Sequence, residues 1–252
     1  MKDPEVLGML IGGSFASGEA DDYSDLDIQL VVGDGDVEQL APKLRAIADD
    51  AGPVVAAFSA EHVGLPHMLI VLYEELVHAD FEPVEISRVG PRNAGMSTHV
   101  LWERDAAVSA PLGVDHVGED PAVALAWLED RIWTWSWYVQ TKILRGEIYE
   151  ALGGLQEIRD SVLFRLLAMH RDERPSSARR VEGRVGPWVQ QFAATVPALR
   201  RDSAMEALGS SIQLYLDLAD PLQRKFGVHP ADRARGAALD ALGQGLHWSS
   251  EA

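Results

Sequence analysis

Apolar positions along the chain change their spacing near its middle. Up to Trp102 they come in short runs bounded by Gly, Pro, Asp or Asn, whereas after Pro121 they recur every three or four residues over long stretches. The first pattern predicts strands and the second predicts amphipathic helices. Strands are expected at Val6 to Ile11, Asp25 to Val32, Val54 to Phe58, Met68 to Tyr73, Leu76 to Glu82 and His99 to Trp102. Within this half, Val37, Leu40, Leu44 and Ile47 are spaced as a helix over Val37 to Asp50, closed by Gly52-Pro53.

In the second half, Leu128, Ile132, Trp135, Val139 and Ile143 make one apolar stripe of a helix running from Pro121 to about Arg145, where Gly146 interrupts it. Ile148, Leu152, Leu155, Val162, Leu166 and Met169 predict a second long helix. Helices near Pro187 to Ala194, Ser203 to Leu218 and Pro230 to Leu246 complete an α-helical bundle, with Pro221 ending or bending the third helix. Polar or turn-rich connections are expected at Ser87 to Thr98, Asp115 to Asp120 and Arg171 to Arg184. The change of pattern puts a domain boundary near residue 118, giving domains 1–118 and 119–252.

Composition narrows the classes. The 252 residues are 47% hydrophobic and 24% charged, ordinary values for a folded soluble chain able to bury a real core. No uninterrupted apolar stretch is long enough to span a membrane, and the acidic lead Met1-Lys2-Asp3-Pro4-Glu5 is unlike a signal peptide. A cytoplasmic location is therefore expected. With no cysteine, disulfides, thiolate metal sites and a cysteine nucleophile are excluded. A net charge of −17 argues against a broad nucleic-acid surface and suits a small cationic partner.

The chemistry concentrates in Leu10 to Val32. Asp25 and Asp27 stand two apart on a strand, so their carboxylates share a face about 7 Å apart along the backbone. Such a pair suits a hard divalent cation such as Mg²⁺, which takes oxygen ligands and shares them with phosphates. The turn Gly12-Gly13-Ser14 after an apolar run lets backbone N–H groups and a hydroxyl approach a phosphate closely. Further on, alternation over Leu76 to Glu82 sets Val77, Ala79 and Phe81 on one face and His78, Asp80 and Glu82 on the other. A second stripe of the Pro121 helix, Trp127, Arg131, Thr134, Tyr138, Lys142 and Arg145, reads either as a nucleotide-facing row or as a solvated, snorkelling face.

Gly13-Ser14, ten intervening residues, then Asp25-Leu26-Asp27 backed by Ile28 and Leu30 to Val32 resembles the signature of the DNA polymerase beta-like nucleotidyltransferase superfamily. Tyr23-Ser24-Asp25-Leu26-Asp27 looks like its small-molecule branch, which includes aminoglycoside and lincosamide adenylyltransferases. Phe15 departs from the Arg that many members carry after the Gly-Ser pair. The resemblance implies an α+β chain, a mixed sheet with flanking helices followed by the helical bundle, which closes the cleft and selects the acceptor. It implies that Asp25, Asp27 and a third carboxylate on a later strand hold the metals, with Asp80 the choice and Glu82 the runner-up. It further implies that Gly13 and Ser14 hold the β and γ phosphates and that Lys142 stands near them. The activity implied is Mg²⁺-dependent transfer of AMP from ATP to a hydroxyl of a small, aminoglycoside-like acceptor. Adenylylation of a macromolecule, or a catalytically silent binding or antitoxin protein, are the alternatives.

Other motifs carry less. Gly33-Asp34-Gly35-Asp36 is a partial Gly-x-Gly match whose third glycine position is Glu38, and it reads as a turn. Gly12-Gly13-Ser14-Phe15-Ala16 approximates a nucleophile elbow, but its fifth position is alanine and no motif supplies a histidine partner. Neither a Gly-x-x-x-x-Gly-Lys loop nor a His-Glu-x-x-His helix is present.

Overall fold

A computed structural model describes residues 3–90, 97–112, 119–173, 178 and 181–249. Parts of the three expected connections, at 91–96, 115–118, 174–177 and 179–180, lie outside the described residues. The chain divides into two compact units, Met1–Gly118 and Glu119–Ala252. None of the described helices is long and apolar enough to cross a membrane.

The first unit is built on one six-stranded sheet. Its strands are β1 (Val6–Ile11), β2 (Leu26–Val32), β3 (Val54–Ala60), β4 (Leu65–Tyr73), β5 (His78–Glu85) and β6 (His99–Glu103), ordered β3-β4-β5-β2-β1-β6. Only β2 and β5 pair in parallel; the other neighbours are antiparallel. This is the mixed sheet that the resemblance implies.

The alternation of each strand decides what its two faces do. On one face Val6, Leu30, Val32, Val71, Ala79 and Phe81 pack against Leu40, Leu44 and Ala48. The single helix expected over Val37 to Asp50 is instead Val37–Leu40, a 3₁₀ turn Ala41–Lys43 and Leu44–Ala51. Pro42 has no N–H to donate to a regular helical ladder, which accounts for the tighter middle turn. The opposite face has an apolar cluster at one end, where Leu10, Val31 and Val84 pack with Val89 and Val108. Toward the other end that face carries Asp27, Gln29, His78, Asp80 and Glu82, all partly exposed. Because β2 and β5 are parallel, their first residues lie at the same end of the sheet, and β1 ends there too.

The second unit is helical. Asp120 caps Pro121–Arg145 by accepting from the Ala122 N–H at 2.8 Å, and Gly146, at φ +76°, ends it. The buried face of this helix is Leu125, Leu128, Glu129, Ile132, Trp133, Ser136, Val139, Gln140 and Ile143, and Trp135 is only partly buried. Ile148–Ile158 returns against it; a side chain on Gly154 would meet Val139 at 2.6 Å, so glycine permits this approach. The second long helix continues through a π turn, Arg159–Leu163, into Phe164–His170. A short helix follows at Val189–Ala194, then the helices Arg201–Phe226 and Asp232–Ser249. Pro221 neither ends the helix Arg201–Phe226 nor lies at its edge: the helix runs on to Phe226, four residues short of Pro230.

Candidate functional site

β1 delivers the chain to a tight turn. Gly12 donates its N–H to the Asp27 carbonyl at 2.8 Å, and the short helix α1 (Gly13–Ser17) begins at once. Gly13 sits at φ +60°, and a Cβ there would lie 2.0 Å from Asp27 Oδ2. The Asp27 carboxylate therefore rests against the Gly13 backbone, a position only glycine leaves room for. Ser14 is buried, and its Oγ has no hydrogen-bond partner among the described residues.

This approach yields a prediction. Gly13→Ala meets both the carboxylate and the unfavourable φ, and is expected to lower stability by about 1–3 kcal/mol. Gly12→Ala has φ −110° and places its Cβ in ordinary contact, 3.6 Å from Asp27 Cβ, and serves as the control. Urea midpoints of the two variants check this; equal losses would refute the close-approach account.

β2 and β5 bring the acidic residues together. Asp27 and Asp80 are register partners, so both carboxylates leave the same face side by side. Asp25 stands one step before β2, beside His78: His78 Nδ1 is 4.0 Å from Asp25 Oδ2 and His78 Nε2 is 3.4 Å from Asp80 Oδ1. Glu82 is two residues further along, opposite Gln29, whose Nε2 donates to it at 3.2 Å. Of the two sequence candidates, Asp80 thus neighbours Asp27 and Glu82 does not.

Asp80 is electrostatically unsatisfied. Burial pushes its carboxyl above the usual carboxylate range; His78 opposes this, while the like charges of Asp25 and Glu82 add to it. Its Oδ1, though within ion-pair reach of His78, has no hydrogen-bond partner among the described residues. A desolvated carboxylate oxygen beside two more carboxylates is a setting in which a hard cation would offset the charge. Among the described residues no three acidic or imidazole groups already converge on one cation position. His78 bridges Asp25 and Asp80, so gathering the carboxylates around an ion requires side-chain rotation and release of that ring. In donor chemistry the residues fit Mg²⁺.

Lys142 lies in the helical unit. Its ammonium donates to Glu147 Oε2 at 2.8 Å, stands 3.8 Å from Glu150 and lies 5.0 Å from the Tyr138 ring centroid. The hydrogen bond to Glu147 holds its pKa above the ordinary lysine value. Elsewhere on this stripe the Arg131 guanidinium stacks on Trp127 at 3.9 Å, as Arg165 does at 5.0 Å. These contacts match the snorkelling reading of the stripe.

Two polar residues carry roles that pattern reading passes over. His78 shares the alternating face with Asp80, and that alternation is the signal that could have found it. Glu129 is buried in an otherwise apolar row and accepts hydrogen bonds from Trp133 Nε1 (2.7 Å), Gln223 Nε2 (2.7 Å), the Ala231 N–H (2.9 Å) and the Tyr215 hydroxyl.

No protein-family model matches the chain, and no curated protein matches it. Among solved structures, the chain is similar to an aminoglycoside 6-adenyltransferase from Bacillus subtilis at 16% identity, over 96% of this chain and 92% of that one, with a TM-score of 0.46. It is also similar to a nucleotidyltransferase-like protein from Exiguobacterium sibiricum 255-15 at 10% identity, over 88% and 75% of the two chains, with a TM-score of 0.40.

Proposed function

We propose that the chain is a Mg²⁺-dependent nucleotidyltransferase that moves AMP from ATP to a hydroxyl of a small molecule and releases pyrophosphate. The observation that carries this reading is the buried Asp80 Oδ1, without a hydrogen bond among the described residues, on a side chain in register with Asp27, whose carboxylate rests against Gly13. Asp25, Asp27 and Asp80 would hold Mg²⁺, which when bound supplies neutralising charge to the phosphates.

The chain's own groups then divide the work. The Ser14 hydroxyl, buried with no acceptor among the described residues, donates to a phosphate oxygen, and the Gly13 backbone lets the phosphates come close. The acceptor oxygen forms a bond to the α-phosphorus as the bond from that phosphorus to the bridging oxygen breaks. The acceptor's proton goes to Asp80, the carboxylate that stands in register beside Asp27. In its finer form the acceptor is a cationic, aminoglycoside-like compound, motivated by the net charge of −17.

Pyrophosphate release, measured with each nucleoside triphosphate against a panel of aminoglycosides and lincosamides, tests the proposal. Release is expected to require Mg²⁺, to favour ATP and to fall by about 10³-fold in Asp25→Asn. Absence of both release and ATP binding would defeat it.

A further inference from the structure

Register aligns five strands across the carboxylate face. Gly12 lies beside Asp27, Asp27 pairs with Asp80, Asp80 with Ile70, and Ile70 with Phe58. In the neighbouring row Asp25 stands beside His78, His78 pairs with Leu72, and Leu72 with Ala56. Directly opposed residues of neighbouring strands share a sheet face. From β1 to β3 the face therefore reads glycine backbone, then carboxylates, then a shelf of Ile70, Leu72 and Phe58. Phe58 is 53% exposed, and its ring centroid is 6.0 Å from that of His62. At strand spacing it stands roughly 10 Å from Asp80.

The geometry points to an acceptor that carries an apolar ring beside its hydroxyl, with Ile70, Leu72 and Phe58 as the surface that receives the ring. This rests on the nucleotidyl-transfer reading above. In-line displacement keeps the attacking and leaving oxygens on opposite sides of the phosphorus. With pyrophosphate leaving at Gly13 and Ser14, on the β1 side of Asp27, the attacking hydroxyl approaches from the β5 side, beside Asp80. The body of the acceptor then extends over β4 and β3. A cationic acceptor keeps its charged groups over the carboxylates, because polar groups laid over Ile70, Leu72, Ala56 and Phe58 would be desolvated with no partner in those side chains. A ring that reaches from the hydroxyl to Phe58 stacks on it instead. Phe58 is on this account a residue that selects the acceptor.

The test uses the full chain with Mg²⁺ and α,β-methylene-ATP. The probe is 2-(2-naphthyl)ethanol, with glycerol as the polar comparator, and binding is read by saturation-transfer NMR. The naphthyl protons are expected to receive saturation and the glycerol protons not. Phe58→Ala is expected to weaken probe binding about tenfold, and Phe58→Tyr to restore it. Binding of α,β-methylene-ATP, measured by calorimetry, and the unfolding temperature should stay unchanged in both variants, since the side chain is half exposed. Failure of the probe to bind, or equal binding by wild type and Phe58→Ala, overturns the shelf. Probe binding that depends on Phe58 in a chain that binds no ATP analogue keeps the ring-binding shelf and overturns the transfer reading.

Discussion

Asp80→Asn is expected to lower nucleotidyl transfer by about 10³-fold while raising stability in metal-free buffer by ~0.5–1 kcal/mol. The two effects have one cause. Without a cation, the ionised Asp80 carboxylate is desolvated, near the like charges of Asp25 and Glu82, and has an oxygen with no hydrogen bond among the described residues. Asparagine removes the charge, and its amide can donate toward the neighbouring carboxylates. The charge that is unfavourable in metal-free buffer is the one that the proposed metal ion and acceptor proton would require. Glu82→Gln, two residues along the strand and already bonded to Gln29, is expected to change transfer by less than about tenfold. Steady-state pyrophosphate release and urea unfolding in EDTA check the pair. A stabilised Asp80→Asn that retains activity would transfer the third-carboxylate role elsewhere.

Glu129→Ala is expected to destabilise the helical unit by about 3–5 kcal/mol. Its carboxylate joins three segments: Trp133 in its own helix, Tyr215 and Gln223 in Arg201–Phe226, and the Ala231 backbone just before the last helix. Alanine would leave four donors without their acceptor in a region where Trp133, Tyr215 and Gln223 are all buried. Burial and the bond to Glu129 also raise the Tyr215 pKa, so its hydroxyl stays a donor at ordinary pH. Glu129→Gln keeps the shape and one acceptor oxygen and is expected to lose about 1–2 kcal/mol. Of the seven tryptophans only Trp102 lies in the first unit, so tryptophan fluorescence during urea unfolding follows the helical unit. A Glu129→Ala midpoint within error of wild type would show that the network contributes no net stability.

The elements themselves were legible because their signals are local. Alternation in Leu26 to Val32 and His78 to Glu85, and three-to-four spacing after Pro121, follow from side-chain direction within a single strand or helix. Proline is a less local case. Pro42 tightened its helix as its chemistry predicts, but Pro221 did not stop the helix Arg201–Phe226, where Leu218, Ala219 and Leu222 are buried against the core. Tertiary packing outweighed the lost hydrogen bond there.

The sequence by itself determined that Asp25 and Asp27 share a face, and that His78, Asp80 and Glu82 share another strand's polar face. Which of the latter meets Asp27 was decided only by pairing between strands some fifty residues apart. A one-residue slip would have exposed the apolar set, so the buried face forbids it; a two-residue slip preserves every inward and outward position and merely exchanges Asp80 for Glu82. Local pattern is blind to that choice. The same holds for Phe58 in line with Asp80, and for Glu129, whose acceptor oxygens are met by groups from helices far along the chain: partners of that kind exist only once the chain has folded.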